Sequence, residues 1–234
     1  MFRQADQAAG SNPELSESLY RQAAMRYESI VTKGGIQNGK LYYNTGNVYF
    51  RIKDIGRAIL NYRRAQEYIP NDPNLRQNLS YARNFRKDKI EEKQETKVFK
   101  TLFFWHYDLS TRIKIIVFSI LFCAIWLIAG IRLFFKHSIL GWGLFGVVVL
   151  SMMIGGSLIA ESISLHREIP GVIIDIEVIA RKGNSQNYAP SFTEPLHAGT
   201  EFNLLEKRDN WFYIELPDSR TCWVPAKSVD LVWN

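Results

Sequence analysis

A chain of 234 residues has room for one or two soluble domains, and its two cysteines, Cys123 in an apolar run and Cys222 near the C-terminus, offer no disulfide framework. The net charge of +6 is unevenly spread: residues 1–100 hold 18 Lys and Arg against 11 Asp and Glu, and residues 172–234 hold 6 against 9. A basic helical domain beside a membrane follows anionic lipid rather than nucleic acid, so nucleic acid is excluded as a partner.

The first fifteen residues, MFRQADQAAGSNPEL, contain no apolar core of signal-peptide type. Two readings stay open: both flanks of the chain are cytoplasmic, or a leader has been removed. Residues 14–93 then read as helices. Ala58, Tyr62, Ala65 and Ile69 recur at helical spacing, as do Tyr42, Gly46 and Tyr49 before them. Gly56 separates the two patterns and Pro70 closes the second. The result is a helix–turn–helix unit with small residues where its helices must approach.

Gly46, Tyr49, Ala58, Tyr62, Ala65 and Pro70 stand at the spacings of the tetratricopeptide repeat, which residues 39–72 resemble. Thr45 departs from it, where leucine is usual. Tyr20, Ala23, Tyr27 and Ile30 suggest the second helix of an earlier repeat, and Leu75, Leu79, Ala82 and Phe85 the first helix of a later one. Neighbours are physically required, because one helix pair cannot bury its own apolar face. The resemblance makes residues 1–93 an all-α domain with a concave partner groove. Lys40, Tyr43, Asn44, Asn47, Phe50 and Arg51 would line it, with Gln77, Asn78 and Tyr81 from the next helix. Side-chain amides both donate and accept, which suits an extended peptide backbone. For Asn44 and Asn78 a second role, tying adjacent helices together, stands equally open.

Residues 94–112 belong to a charged helix, expected from residue 86 onward, that turns aromatic. Trp105 and Tyr107 favour the headgroup region of a bilayer, and Lys100, Arg112 and Lys114 would meet lipid phosphates there. Two apolar segments follow, at 113–135 and 139–160. Seventeen residues from Ile115 to Ile131 and twenty-two from Ile139 to Ala160 carry no charge. A bilayer core needs about 20 helical residues to cross it. Buried core helices of a soluble protein would show a polar stripe, and neither run has one. The short link places whatever precedes this transmembrane hairpin on the same side as whatever follows it. Gly141, Gly143 and Gly146 match G-x-G-x-x-G only formally. The dinucleotide motif needs a preceding strand, and here the glycines, with Ser151, Gly155, Gly156 and Ala160, serve close helix packing.

From Gly171 the period becomes two, with Ile174, Ile176 and Val178 alternating against Asp175 and Glu177. Strands follow at 200–207, 211–216, 221–224 and 229–232, broken by turns at 182–185, 208–210 and 217–219. So many short strands in residues 171–234 predict a small all-β barrel. Ala180–Gly183, Leu196–Thr200, Asp209–Ile214 and Cys222–Pro225 resemble the bacterial SH3-like domain, with Cys222 and Asn184 in place of its usual glycine and proline. That resemblance brings peptidoglycan in as a second candidate ligand. His106, His137, His166 and His197 are scattered and no metal-spaced cluster appears, so neither catalysis, nor a metal, nor a cofactor is expected.

The whole order, tetratricopeptide domain, hairpin and SH3-like barrel, resembles BatE-type proteins of the bacterial aerotolerance (Bat) operon, notably in Leu41–Asn47 and Asn78–Arg83. The resemblance implies a multi-pass protein of the bacterial inner membrane that works beside von Willebrand A-domain membrane proteins and a MoxR-type ATPase. It implies periplasmic soluble domains, whereas the Lys and Arg count around the spans favours the cytoplasm. The periplasm is the expected side. The expected function is a non-catalytic scaffold, with a cell-wall sensor as the alternative.

Overall fold

The computed structural model describes residues 1–90, 109, 111–135, 137–165 and 169–233. Seven helices fall among them: α1 (Phe2–Ala8), α2 (Pro13–Thr32), α3 (Gly39–Arg51), α4 (Ile55–Tyr68), α5 (Pro73–Asn84), α6 (Thr111–Phe134) and α7 (Ser138–Leu165). The strands are β1 (Ile169–Ile173), β2 (Glu177–Val178), β3 (Leu196–His197), β4 (Glu201–Arg208), β5 (Trp211–Glu215), β6 (Thr221–Pro225) and β7 (Val229–Leu231). Residues 1–93 and 168–234 form one compact unit and residues 94–167 another.

Helices α2 to α5 all begin on a short polar side chain. Asn12, Asn38, Asp54 and Asp72 each accept a hydrogen bond from a backbone N–H of the first turn. Such caps satisfy donors the helix itself leaves unpaired. Prolines at the first position of α2 and α5 need no such partner. The α3–α4 hairpin closes tightly because Gly46 lies under the ring of Tyr62: a Cβ there would sit 2.6 Å from two ring carbons. Thr45 is 2% exposed, yet its hydroxyl donates to the Leu41 carbonyl at 2.8 Å. A polar side chain is thereby accommodated in the interior of the hairpin.

Five strands make one antiparallel sheet in the order β6-β5-β4-β1-β7, and β2 pairs with β3 in a separate ribbon. The turn residues Asp209 and Ser219 take positive φ, at 52° and 64°. Cys222 is 1% exposed, and burial pushes its thiol up to about 12.

Three expectations are corrected. Gly56 is not the breaker between α3 and α4: the turn is Ile52–Asp54, with Lys53 at φ 63°, and Gly56 lies in the first turn of α4. A Cβ on it would stand 2.7 Å from the Ile173 carbonyl oxygen, so glycine lets α4 lie directly on β1. Second, the alternation after Gly171 is not one half-buried strand. β1 is buried on both faces from Pro170 to Ile173, as strands covered on both sides are. The chain then breaks, leaving Ile176 83% exposed while Ile174 packs against the helices. Third, helix does not run from residue 86: α5 ends at Asn84, and Arg86–Ile90 continue without helix.

Helices and sheet share a core. Val172 and Val232 belong to the same apolar cluster as Ile59, Leu60, Tyr62 and Leu75, while Ile173, Phe202, Ile214 and Val224 fill the interior of the sheet. In the other unit, α6 and α7 are long and apolar enough to cross a membrane. Gly155 faces the Phe118 ring, where a Cβ would lie at 3.1 Å, whereas Gly143, Gly146 and Gly156 face open space.

Candidate functional site

Of the residues assigned to a partner groove, Lys40, Asn44, Arg51, Gln77 and Tyr81 are exposed, while Tyr43, Asn47, Phe50 and Asn78 are half-buried. Tyr43, Asn47 and Asn78 are bonded together. Asn78 Nδ2 donates to Tyr43 Oη at 3.0 Å and to Asn47 Oδ1 at 2.9 Å, and Tyr62 Oη donates to the same Asn47 oxygen at 2.8 Å. With both acceptor sites of Oδ1 occupied, Asn47 and Asn78 act as struts between α3, α4 and α5.

Beside this network lies a cavity of about 540 Å³ lined by Phe2, Asn47, Phe50, Arg51, Tyr62, Asn78 and Tyr81. It brings together Asn47, Phe50, Arg51, Asn78 and Tyr81 from the expected set, and leaves Lys40, Tyr43, Asn44 and Gln77 outside its wall. The Arg51 guanidinium stands 3.6 Å from Asp6 of α1, with 57% of the arginine side chain still exposed. Phe50, Tyr81 and Phe85 extend the wall as an aromatic cluster with ring centroids 5.0–5.6 Å apart. The cavity therefore offers apolar rings and an accessible cation, a set suited to a peptide with an apolar side chain and an anionic group.

Of the expected membrane-interface residues, Lys100, Trp105 and Tyr107 lie outside the described residues. Arg112 is exposed in the first turn of α6, and Lys114, expected at the same headgroup level, is buried.

Sequence reasoning missed the junction between helices and sheet. Glu201, at the start of β4 and 18% exposed, receives both Nε and Nη2 of Arg83 at 2.8 and 2.7 Å and Nη1 of Arg86 at 3.2 Å, with Arg63 at 3.5 Å. Burial alone would raise the Glu201 carboxyl, but the three guanidinium groups outweigh it and hold it below its ordinary value. Arg64 donates to the carbonyls of Leu231 and Val232 at 2.7 and 3.1 Å. Asp88 accepts from His197 N–H, Thr200 Oγ1 and the His197 ring, at 2.7, 2.7 and 2.6 Å. These bonds outweigh burial and hold the Asp88 carboxyl low. The partners are more than a hundred positions apart, so no local spacing announces them. The only sequence signal is a lone acid, Glu201, beside residues that pattern as core.

Compared with protein-family models, curated proteins and solved structures, the chain matches none.

Proposed function

We propose that this protein is a non-catalytic, membrane-anchored scaffold of the bacterial envelope that holds a partner protein in the α3/α5 groove. The observation that carries the reading is the cavity of about 540 Å³, open on the helical face and walled by aromatic rings, amides and the exposed Arg51. The α3–α4 hairpin with α2 and α5 is read as tetratricopeptide packing, and the five-stranded sheet with its ribbon as an SH3-like barrel. Helices α6 and α7 are read as a transmembrane hairpin, with length and composition as the support. On the resemblance to BatE-type proteins, the partners are von Willebrand A-domain membrane proteins and a MoxR-type ATPase system.

The test is co-purification from envelope extracts with Arg51→Ala combined with Tyr81→Ala. Both side chains are exposed, so folding is retained and capture of those partners should fall at least tenfold; undiminished capture would rule out the groove.

A second reading, a cell-wall sensor, draws on the outer face of the sheet. There Tyr213 and Trp223 stack at 5.0 Å and the Arg208 guanidinium lies 5.5 Å from the Trp223 ring. Ring faces of this kind suit sugars, and co-sedimentation with purified sacculi would favour it over a pure scaffold.

A further inference from the structure

A cavity of about 840 Å³ opens between α2, α3, α4 and the residues that follow β7. It shares no lining residue with the groove of about 540 Å³, so what it binds is independent of the scaffold reading. Its volume falls in the range of small-molecule sites, roughly 300–1,000 Å³. Aromatic rings form part of its wall. Tyr42 and Tyr68 stand with ring centroids 5.9 Å apart and planes tilted by 32°, and the half-buried Trp233 adds an indole. Tyr42 is buried, whereas Tyr68 is 49% exposed and its hydroxyl donates to Gln37 Oε1 at 3.1 Å.

Charged residues line the cavity as well: Lys33, Arg57 and Arg64 against Glu28, Glu67 and Asp230. Most are already engaged. Arg57 Nη1 donates to Asp54 at 2.7 Å. Arg64 donates to the carbonyls of Leu231 and Val232 and lies 3.2 Å from Asp230. Glu28 accepts from the Tyr49 hydroxyl. Lys33 caps the C-terminal end of α2 and is exposed, so water satisfies its ammonium. That leaves Glu67, whose carboxylate has no hydrogen bond or ion pair among the described residues. Burial raises this carboxyl, and Arg63 offsets the effect only in part, because Gln66 at 2.9 Å and Glu201 at 3.5 Å hold its guanidinium. Glu67 still opens to solvent, as a residue that meets a ligand must.

We propose that this cavity binds an organic ammonium ion, with the Glu67 carboxylate as counter-ion and Tyr42, Tyr68 and Trp233 as its aromatic wall. The face of an aromatic ring carries negative charge density and attracts a cation, most strongly where water is partly excluded. An ammonium group with an apolar body therefore meets both kinds of wall at once. An anion would find Arg57 and Arg64 taken and Glu67 repelling it. An uncharged apolar ligand would cover Glu67 and leave a carboxylate without water or partner, which is costly.

The test is isothermal titration of the full chain at neutral pH in micelles of a non-ionic maltoside. The probes are choline and n-butylammonium, with the uncharged carbon isostere of choline as control. At least one ammonium probe should bind saturably, and at least tenfold more tightly than the isostere. Glu67→Gln and Tyr68→Leu, both at exposed positions, should each weaken that binding roughly three- to thirtyfold, and an unchanged thermal midpoint shows that the fold is kept. No saturable binding of either ammonium probe overturns the proposal. So does equal binding of the isostere, which would make the cavity a merely apolar pocket, or undiminished binding in Glu67→Gln. Saturable binding of inorganic phosphate in place of the ammonium probes would make it an anion site and overturn the proposal as well.

Discussion

Replacing Glu201 by glutamine would leave Arg63, Arg83 and Arg86 converging on a neutral amide. Removing one partner of a buried charge cluster costs more than the cluster itself contributes, because the remaining charges stay desolvated. The arginines keep up to 36% of their surface, so the expected loss is about 2–3 kcal/mol, under the roughly 3–5 kcal/mol of fully buried pairs. The sign of the pH dependence follows from the depressed carboxyls of Glu201 and Asp88. Their contribution is present above the unfolded values, near 4.5 and 3.8, and is lost as pH falls through the folded ones. Thermal midpoints should therefore drop as the solution is acidified below about pH 4.5, and Glu201→Gln should flatten that drop. A variant whose acid limb is as steep as the parent's would show that another group sets it. A second residue-level expectation separates struts from ligand contacts. Asn47→Ala strips the acceptor from Tyr62 and Asn78 and should cost about 1–3 kcal/mol in a denaturant titration. Gln77→Ala, exposed outside the cavity, should move stability by less than about 0.5 kcal/mol.

At the scale of elements, the close approaches are where single methyl groups decide. Gly56→Ala would drive a Cβ into the Ile173 carbonyl at 2.7 Å. Backbone cannot give way as a flexible side chain does, so about 1–3 kcal/mol should be lost. Gly143→Ala, with open space around it, is the control, and equal midpoints for the two variants would mean that α4 does not bear on β1 as described. The elements themselves were legible where local chemistry made them. The helix–turn–helix unit with small residues at its close approach, and the strands expected at 200–207, 211–216 and 221–224 and found at 201–208, 211–215 and 221–225, follow from spacing and turn residues. What periodicity could not show was burial from two sides. β1 read as an alternating strand starting at Gly171 because nothing local reveals that helices cover its second face. For the same reason Gly56 read as a turn, and Asn47 as a ligand contact rather than a strut. The site was half visible: residue types marked a groove, but only three-dimensional packing showed which amides were already occupied.

For the whole molecule, the proposed membrane anchoring is tested by the side of the bilayer that the compact unit of residues 1–93 and 168–234 faces. The test is a single reporter cysteine. Asp218 is unsuitable, since its carboxylate accepts from Arg220 N–H and Nε at 3.1 and 2.7 Å and holds the β5–β6 turn. Ser219 is exposed, and its positive φ strains serine and cysteine alike, so Ser219→Cys should leave the fold intact. Cys222 need not be replaced: at 1% exposure, with its thiol pushed up to about 12, it forms too little thiolate to react. Changing it to serine would instead place a hydroxyl in the sheet interior. Cys123 lies on the open surface of α6 and is changed to serine. With a membrane-impermeant maleimide and a permeabilised outer membrane, intact cells should label Ser219→Cys as fully as lysed cells do, as periplasmic domains require. Labelling that appears only after lysis would place the groove and the sheet in the cytoplasm. It would also remove the wall-sensor reading, because the Tyr213–Trp223 face would then never meet peptidoglycan.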